Sequence, residues 1–176
     1  MSITLKSSET LTIRLALPSD AARIITYVQS VGDESDFLTF SGSEFNKTIA
    51  EEEAIIQDHL DTHNKIFIVG EINGQIVSIL NAGGKQKPRL RHVIEFGVSV
   101  RKDHWDKGIG RHMVEYLISW GKNNDIVKKI NLMVVEHNLG ALKLYEQLGF
   151  EYEGRLRKDF YEGGKYYDGL AMGLEV

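Results

Sequence analysis

Hydrophobic residues are grouped along this chain in two kinds of pattern, and the first kind predicts strands. Short runs rich in β-branched and other apolar residues occupy positions 11–15, 66–69, 76–80, 93–100 and 130–135. Runs of this length and composition are typical of β-strands. Two more runs follow residue 152, on either side of the turn signal at 163–164.

The second kind of pattern repeats apolar residues at the spacing of an α-helix. It covers positions 20–28, 48–60, 113–121 and 138–149. Thr48 and Glu51 form the signature of a capping box at the start of the second helix, and Leu60 is expected on its buried face. Asn138 and Gly149 are typical residues for the start and the end of the fourth helix.

The order of these elements indicates the fold class. Strands and helices do not alternate regularly, as a doubly wound Rossmann sheet requires. The order favours an α/β (α+β) domain with a mixed, mostly antiparallel sheet. At 176 residues, we expect one domain that covers positions 1–176.

Composition narrows the classes of partner. The formal net charge of −4 argues against nucleic acid and against an anionic membrane surface. The chain has no cysteine, which excludes disulfides, a thiolate metal site and a cysteine nucleophile. With no signal peptide and no apolar run of membrane-spanning length, a cytoplasmic protein is the expectation. Among oligomers, a homodimer is the commonest closed assembly, and the sequence does not decide between it and a monomer.

The most specific local pattern is a strand, a polar loop and the triplet Gly108-Ile109-Gly110 at the start of the third helix. This order presents backbone N–H groups at a helix N-terminus, where the helix dipole favours an anion such as phosphate. The chain has no P-loop string, and Met113 stands where a Rossmann fingerprint has its third glycine. Neither common nucleotide loop therefore explains the triplet.

A second motif lies downstream and makes the glycine loop more specific. Residues 138–150 read Asn-x-x-Ala-x-x-Leu-Tyr-x-x-x-Gly-Phe. In this order and spacing the two motifs resemble the GNAT superfamily of N-acetyltransferases over nearly the whole chain. Residues 94–100, 153–155 and 166–168 are most similar to its phosphinothricin and amino-acid N-acetyltransferase members. The resemblance implies the GNAT fold: about six to seven strands, splayed between strands 4 and 5, and about four helices.

The resemblance also implies that acetyl-CoA, the co-substrate, binds at the glycine loop and the elements around it. Backbone N–H groups of residues 107–111 would hold its pyrophosphate, and backbone groups of Val98 and Val100 would hold its pantetheine arm. The expected contacts are Val98, Ser99, Val100, Trp105, Lys107, Gly108, Ile109, Gly110, Arg111, Asn138, Ala141 and Leu144. Trp105 stands where the family usually has Arg or Gln, so it is expected to support the loop by packing.

Several of these side chains have a simpler explanation. Lys107 and Arg111 either add charge at the phosphates or are solvated surface cations. Asn138 is expected to cap its helix, a role that is compatible with binding the CoA arm.

Two residues are candidates for the proton transfers of acetyl transfer. Glu95 lies in an apolar strand, where burial would raise the pKa of a carboxyl toward the range of a general base. The resemblance implies the same role, acting through a water. The alternative is a solvent-facing residue, or one that pairs with Arg89 or Arg91. Tyr145 is the candidate general acid for the departing thiolate, and its alternative is core packing at helical spacing.

The amine acceptor is less defined by the sequence. The resemblance places its pocket near residues 31–40 and 161–167, with Phe37 and Phe40 as candidate contacts. The acidic residues of the first segment can attract a cationic amine or can belong to a solvated loop. They are Asp33, Glu34 and Asp36. The prediction is a primary amine on a small molecule or a peptide.

Other functions remain open at this point. The same fold can bind acyl-CoA as a sensor without catalysis, or acetylate protein N-termini or lysines. No metal is expected, because no recognised ligand set accompanies the histidines. These histidines are His59, His63, His104 and His112.

Overall fold

The strands and helices have the following bounds in the computed structural model, which describes residues 1–35 and 37–176. The strands are β1 (Ser2–Thr4), β2 (Thr10–Leu15), β3 (Lys65–Ile72), β4 (Gln75–Gly84), β5 (Val93–Val100), β6 (Lys129–Val135), β7 (Glu151–Glu162) and β8 (Lys165–Glu175). The α-helices are α1 (Ala21–Gly32), α2 (Ile49–Asp61), α3 (Ile109–Lys122) and α4 (Leu139–Gln147).

The strands form one eight-stranded sheet in the order β1-β2-β3-β4-β5-β6-β8-β7. Every neighbouring pair is antiparallel except β5 and β6, which confirms a mixed, mostly antiparallel sheet. The strand missing from the sequence prediction is β1. Its three residues are too few to show a period, and it is held by pairing with β2 and by the Met1 amino group, which donates to the Ile13 carbonyl at 2.9 Å.

The parallel pair is open along most of its length. Register pairs join β5 and β6 only from Val93 opposite Lys129 to Glu95 opposite Asn131. Beyond this point both strands continue without pairing to each other, β5 to Val100 and β6 to Val135. This is the splay predicted between strands 4 and 5, and it is confirmed here between β5 and β6.

The helices cover the two faces of the sheet and create two apolar cores. One core includes Met113 and Leu117 of α3 and Tyr145 of α4, and the other includes Ile24 and Tyr27 of α1. The prediction that Leu60 faces a core is wrong, because it is exposed near the end of α2 while Glu52 is buried one turn into that helix. No helix within the described residues is long and apolar enough to cross a bilayer.

Candidate active site

An open cleft of about 1680 Å³ lies where β5 and β6 separate. Its walls are the free edges of the two strands, the loop before α3, the first half of α4, residues 37–41 and the hairpin between β7 and β8. The splay creates this space, because two strands that diverge leave a gap that side chains of the sheet do not fill. Nearly every residue named from the two sequence motifs lies on its border.

The glycine loop presents unsatisfied N–H groups to this cleft. Gly108 has a φ of 82°, a left-handed conformation that glycine adopts at little cost, and it directs the chain into α3. His112 is the first residue whose N–H is bonded back into this turn, to the Gly108 carbonyl at 3.2 Å. Within the described chain, the N–H groups of residues 106–111 have no hydrogen-bond acceptor. An anion at the start of α3 would supply one.

Trp105 supports this loop by a hydrogen bond that the sequence did not predict. Its indole N–H donates to the Val100 carbonyl at 2.7 Å. The ring is 39% exposed, and the Lys102 ammonium lies 5.9 Å from its centre. The indole N–H is therefore committed to β5 and not to a phosphate, although Trp105 does line the cleft.

The free edge of β5 presents backbone groups at alternate residues. The Arg101 N–H donates to the Val77 carbonyl of β4. Because the backbone groups of successive residues point to opposite edges of a strand, those of the odd-numbered residues of β5 point toward β4, while those of Val98 and Val100 point into the gap. The carbonyl and hydroxyl groups of Ser99 are bonded to other parts of the protein and not directed into the gap. Its carbonyl accepts from Ser78 Oγ at 2.7 Å, and its hydroxyl is hydrogen-bonded to Tyr27 at 3.0 Å. The geometry thus favours Val98 and Val100 over Ser99 as contacts for an extended ligand.

The two cations beside the loop differ in placement. The Lys107 ammonium lies 3.0 Å from Glu9 Oε2, so its side chain is neither free nor turned into the cleft. A hydrogen bond from Ser7 and, second, this contact lower the pKa of Glu9. Arg111 lines the cleft and donates to Gln147 Oε1, which joins α3 to α4. Lys107 therefore offers its backbone N–H to a ligand, and Arg111 also offers charge.

The second motif forms the opposite wall. Asn138 caps α4, accepting from the Ala141 N–H at 3.2 Å, which confirms the expected cap. Asn138, Ala141 and Leu144 all line the cleft. A Cβ on Gly110 would lie 3.8 Å from both Leu144 and Val100, so this glycine sits between the two walls.

Tyr145 combines a buried ring with a free hydroxyl. The side chain is 8% exposed, and its ring packs on Phe96 at 5.9 Å and on Phe150 at 5.8 Å between centroids. Burial raises the pKa of Tyr145 to about 12. Its hydroxyl has no hydrogen-bond partner among the described residues, and the residue borders the cleft. The ring of Tyr145 therefore packs in the core, while its hydroxyl remains available for a chemical role.

Glu95 lies at the last register pair before the splay, opposite Asn131. The expected burial is wrong: the carboxylate is exposed on the floor of the open cleft. It makes no ion pair within the described chain, so pairing with Arg89 or Arg91 is not seen. Its neighbour Phe96 points to the other face of the sheet, toward Tyr145. Glu95 and Tyr145 thus reach the same gap from opposite faces.

The acceptor candidates lie on the Glu95 side of the gap. Phe37 and Phe40 both line the cleft, and Phe37 packs on His137 at 5.4 Å between ring centres. Two of the acidic residues considered for attracting a cationic amine instead accept hydrogen bonds from the backbone. Asp33 accepts from the Gly42 N–H at 2.9 Å, and Glu34 accepts from the Lys102 N–H at 2.7 Å. Asp36, the third acidic residue predicted there, lies outside the described residues.

Sequence reasoning singled out none of three polar residues that border the cleft, although one of them, Glu162, falls in the segment 161–167 expected near the acceptor. They are His137, Asp159 and Glu162. His137 stacks on Tyr167 at 4.3 Å, and its Nε2 lies 3.9 Å from Glu162. Asp159 and Glu162 flank the Phe160-Tyr161 pair on β7, and no motif of the sequence singles them out. In the described part of the chain, no group of three or more His, Cys, Asp or Glu side chains is arranged to hold a metal ion.

Comparison with known proteins assigns the family. The model of the acetyltransferase (GNAT) family matches residues 34–150. An L-amino acid N-acetyltransferase of Escherichia coli is 32% identical over 60% of this chain, and the match spans 65% of that relative's length.

Two solved structures share the fold. A GNAT-family acetyltransferase from Streptococcus pneumoniae superposes with a TM-score of 0.92 at 31% identity, covering 94% of this chain and 99% of its own. A phosphinothricin acetyltransferase from Sinorhizobium meliloti, solved in complex with acetyl-CoA, gives 0.79 at 19% identity, covering 99% of this chain and 89% of its own. The resemblance inferred from the two motifs is confirmed. The chain belongs to the GNAT family, and its homologues include proteins named as N-acetyltransferases.

Proposed function

We propose that this protein transfers the acetyl group of acetyl-CoA directly to a primary amine of a small molecule or peptide. The observation that carries the proposal is the joint placement of Glu95 and Tyr145. Both border the gap between β5 and β6, and they approach it from opposite faces of the sheet.

The donor half of the cleft fits acetyl-CoA. Residues 106–111 offer unsatisfied N–H groups at the start of α3, which suits the pyrophosphate. Val98 and Val100 offer strand-edge groups to the amides of the pantetheine arm, except that the Val100 carbonyl already accepts from Trp105. Within the family, the acetyltransferase from Sinorhizobium meliloti was solved with acetyl-CoA bound.

Glu95 is proposed as the general base. The reacting amine must lose a proton as its nitrogen attacks the thioester carbon, and a carboxylate at the gap accepts that proton through a water. Exposure in an open cleft leaves room for this water, and the carboxylate is not held by any cation of the described chain.

Tyr145 is proposed as the general acid. The carbon–sulfur bond breaks as the new carbon–nitrogen bond forms, and the leaving thiolate takes the phenolic proton. Because burial raises the pKa of Tyr145, the phenol stays protonated across the physiological range and is available for this step. Solvent in the open cleft then returns a proton to the phenolate.

A coupled thiol-release assay tests the function. The protein is mixed with acetyl-CoA and a panel of amines, amino-acid amides and peptides, and free CoA thiol is followed together with the mass of the acetylated product. We expect thiol and product in equal amounts with at least one amine. CoA binding by calorimetry without turnover on the whole panel would instead favour an acyl-CoA sensor. Turnover limited to peptides would favour a protein acetyltransferase.

A further inference from the structure

We infer that Asp159 determines acceptor specificity by binding a second positively charged group of the amine. The inference rests on the proposed function and adds the class of acceptor: an amine with a distant second cation and no carboxylate next to the reacting nitrogen.

A bulge in β7 brings Asp159 to the cleft. The register of β7 against β8 shifts between Leu156 and Phe160, and Lys158 has a φ of 56° there. The Lys158 N–H donates to Asp168 Oδ1 at 2.8 Å, which fixes the bulge. Such bulges redirect a side chain relative to the regular pleat. Here the residue redirected toward the cleft is Asp159.

The opposing strand leaves space for this carboxylate. A Cβ on Gly169 of β8 would overlap the Asp159 carboxylate and would lie 3.0 Å from Met133 Sδ. Gly169 is opposite Val135, and Met133 is two residues earlier on the same face of β6. Asn131 of that face is opposite Glu95, so Asp159 and Glu95 lie on the same side of the sheet.

The charge of the cleft favours a cationic acceptor. Its lining among the described residues contains five carboxylates, which are Glu44, Glu95, Asp106, Asp159 and Glu162. Arg111 is the only lysine or arginine in that lining, and it lies at the donor end, bonded to Gln147. The Lys158 ammonium lies over Tyr166, 5.5 Å from the ring centre, and Lys158 does not border the cleft. An acceptor carboxylate would therefore meet like charge and no cationic partner on the Glu95 side.

Apart from Asp106 on the glycine loop, two of these carboxylates already have a partner within the protein. Glu44 accepts from the Ser41 N–H at 2.7 Å, and Glu162 lies 3.9 Å from His137. Asp159 and Glu95 make no hydrogen bond or ion pair through their side chains in the described chain. With Glu95 assigned to the reacting amine, Asp159 is the carboxylate left for a second cation.

The spacing of these two carboxylates sets the reach of the acceptor. Asn131 of β6 is the register partner of Glu95. Further along β6, Val135 is the register partner of Gly169, and both Met133 and Asp159 lie beside that glycine. Two to four strand residues correspond to about 7–13 Å. Met133, Tyr167 and Phe37 border the cleft and offer apolar surface to an alkyl chain that bridges this distance. A linear diamine such as 1,6-diaminohexane has this form.

Matched acceptors and matched variants test the inference. For the wild type, kcat/KM for 1,6-diaminohexane should exceed that for 1-aminohexane by about tenfold or more, the scale of one charge-assisted contact. The kcat/KM for L-leucinamide should exceed that for L-leucine, because the carboxylate of L-leucine would meet like charge in the cleft. In Asp159→Asn the diamine preference should fall toward one, because only the diamine carries the second cation that Asp159 would bind. Asp125→Asn removes an exposed carboxylate from a loop that does not border the cleft and should keep the preference.

Three results would overturn the inference: equal use of diamine and monoamine by the wild type, an unchanged preference in Asp159→Asn, or faster turnover of L-leucine than of its amide. Thiol release with any amine shows that the proposed function holds even when the inference fails, and its absence with all amines removes both. The wild-type preference should also fall as salt increases. That measurement needs no variant, so it applies even where Asp159→Asn does not fold.

Discussion

The indole N–H of Trp105 donates a 2.7 Å hydrogen bond to the carbonyl of Val100. The bond ties the loop before α3 to the free edge of β5, the two elements that would hold the pyrophosphate and the pantetheine arm. A residue that departs from the usual family pattern of Arg or Gln therefore joins the two elements of the proposed CoA site.

Trp105→Phe keeps an aromatic ring and removes this bond. We expect the Kd for CoA to rise about two- to tenfold, because a neutral hydrogen bond contributes about 0.5–1.5 kcal/mol. Isothermal titration calorimetry measures the change. Trp120→Phe, on the part of α3 away from the cleft, serves as the control and should bind CoA as the wild type does. Unchanged affinity in Trp105→Phe would show that the bond does not position the site.

The two loop glycines should respond differently to alanine. Gly108 has a φ of 82°, and no atom lies within 4 Å of a Cβ placed there, so Gly108→Ala adds backbone strain without a clash. We expect about 1–2 kcal/mol of lost stability, or a melting temperature lower by several degrees. Gly154→Ala on β7 also meets open space, but without a positive φ, and it should leave the melting temperature unchanged. Equal effects in both variants would contradict the role given to Gly108.

Gly110→Ala should lower the affinity for CoA without lowering the stability of the fold. Its Cβ would contact Leu144 and Val100 at the ordinary distance of 3.8 Å, and alanine favours a helix over glycine. The folded chain should therefore be as stable as the wild type or slightly more stable. The added methyl group narrows the space between the two cleft walls, so CoA affinity should fall. Differential scanning calorimetry and titration with CoA together test this, and a variant that loses stability and keeps CoA affinity would contradict it.

Tyr145→Phe should reduce turnover with little change in stability. The hydroxyl has no protein partner among the described residues, so its loss leaves no donor or acceptor unsatisfied. Loss of a general acid typically lowers kcat by about 100-fold or more. Because the pKa of Tyr145 is raised to about 12, the phenol is protonated throughout the usual assay range, and kcat of the wild type should show no decline from Tyr145 ionisation up to about pH 10. Thioester absorbance follows the rate without a thiol reagent. A kcat in Tyr145→Phe equal to that of the wild type would remove the acid role.

Glu52 should make stability depend on pH. Its side chain is 3% exposed and Oε2 has no hydrogen-bond partner in the described chain, so burial raises the pKa of this carboxyl. The Lys47 ammonium, 3.9 Å away, lowers the pKa by less than burial raises it. A raised pKa means that the folded chain holds the proton more tightly than the unfolded chain. The resulting contribution to stability is present below the ordinary pKa near 4.5 and is lost as the pH rises through the raised value.

Glu52→Gln should therefore raise the melting temperature at pH 8 by a few degrees and change it little at pH 4. The neighbouring exposed Glu53→Gln is the matched control and should show no such dependence on pH. A gain in Glu52→Gln that is the same at both pH values would show that Glu52 is not the titrating group.

The structural features of the proposed donor half could be predicted from the sequence, because they are local. A positive φ at Gly108, an N-cap at Asn138 and the apolar face of α3 are each encoded within a few residues. The acceptor half depends on contacts between distant segments. The placement of Asp159 requires the bulge in β7 and the missing side chain of Gly169, which no local period reveals. For the same reason the sequence left open whether Asp33 and Glu34 attract a cationic amine, whereas both accept from backbone N–H groups and lie outside the cleft lining.

The double variant Glu95→Gln/Tyr145→Phe tests whether these two residues carry the proton transfers, with CoA binding and acetyl transfer measured on the same preparation. We expect the wild type to form one acetylated amine for each thiol released. The double variant should bind CoA with wild-type affinity while its turnover falls by about 100-fold or more. Turnover at the wild-type rate in the double variant would contradict these roles.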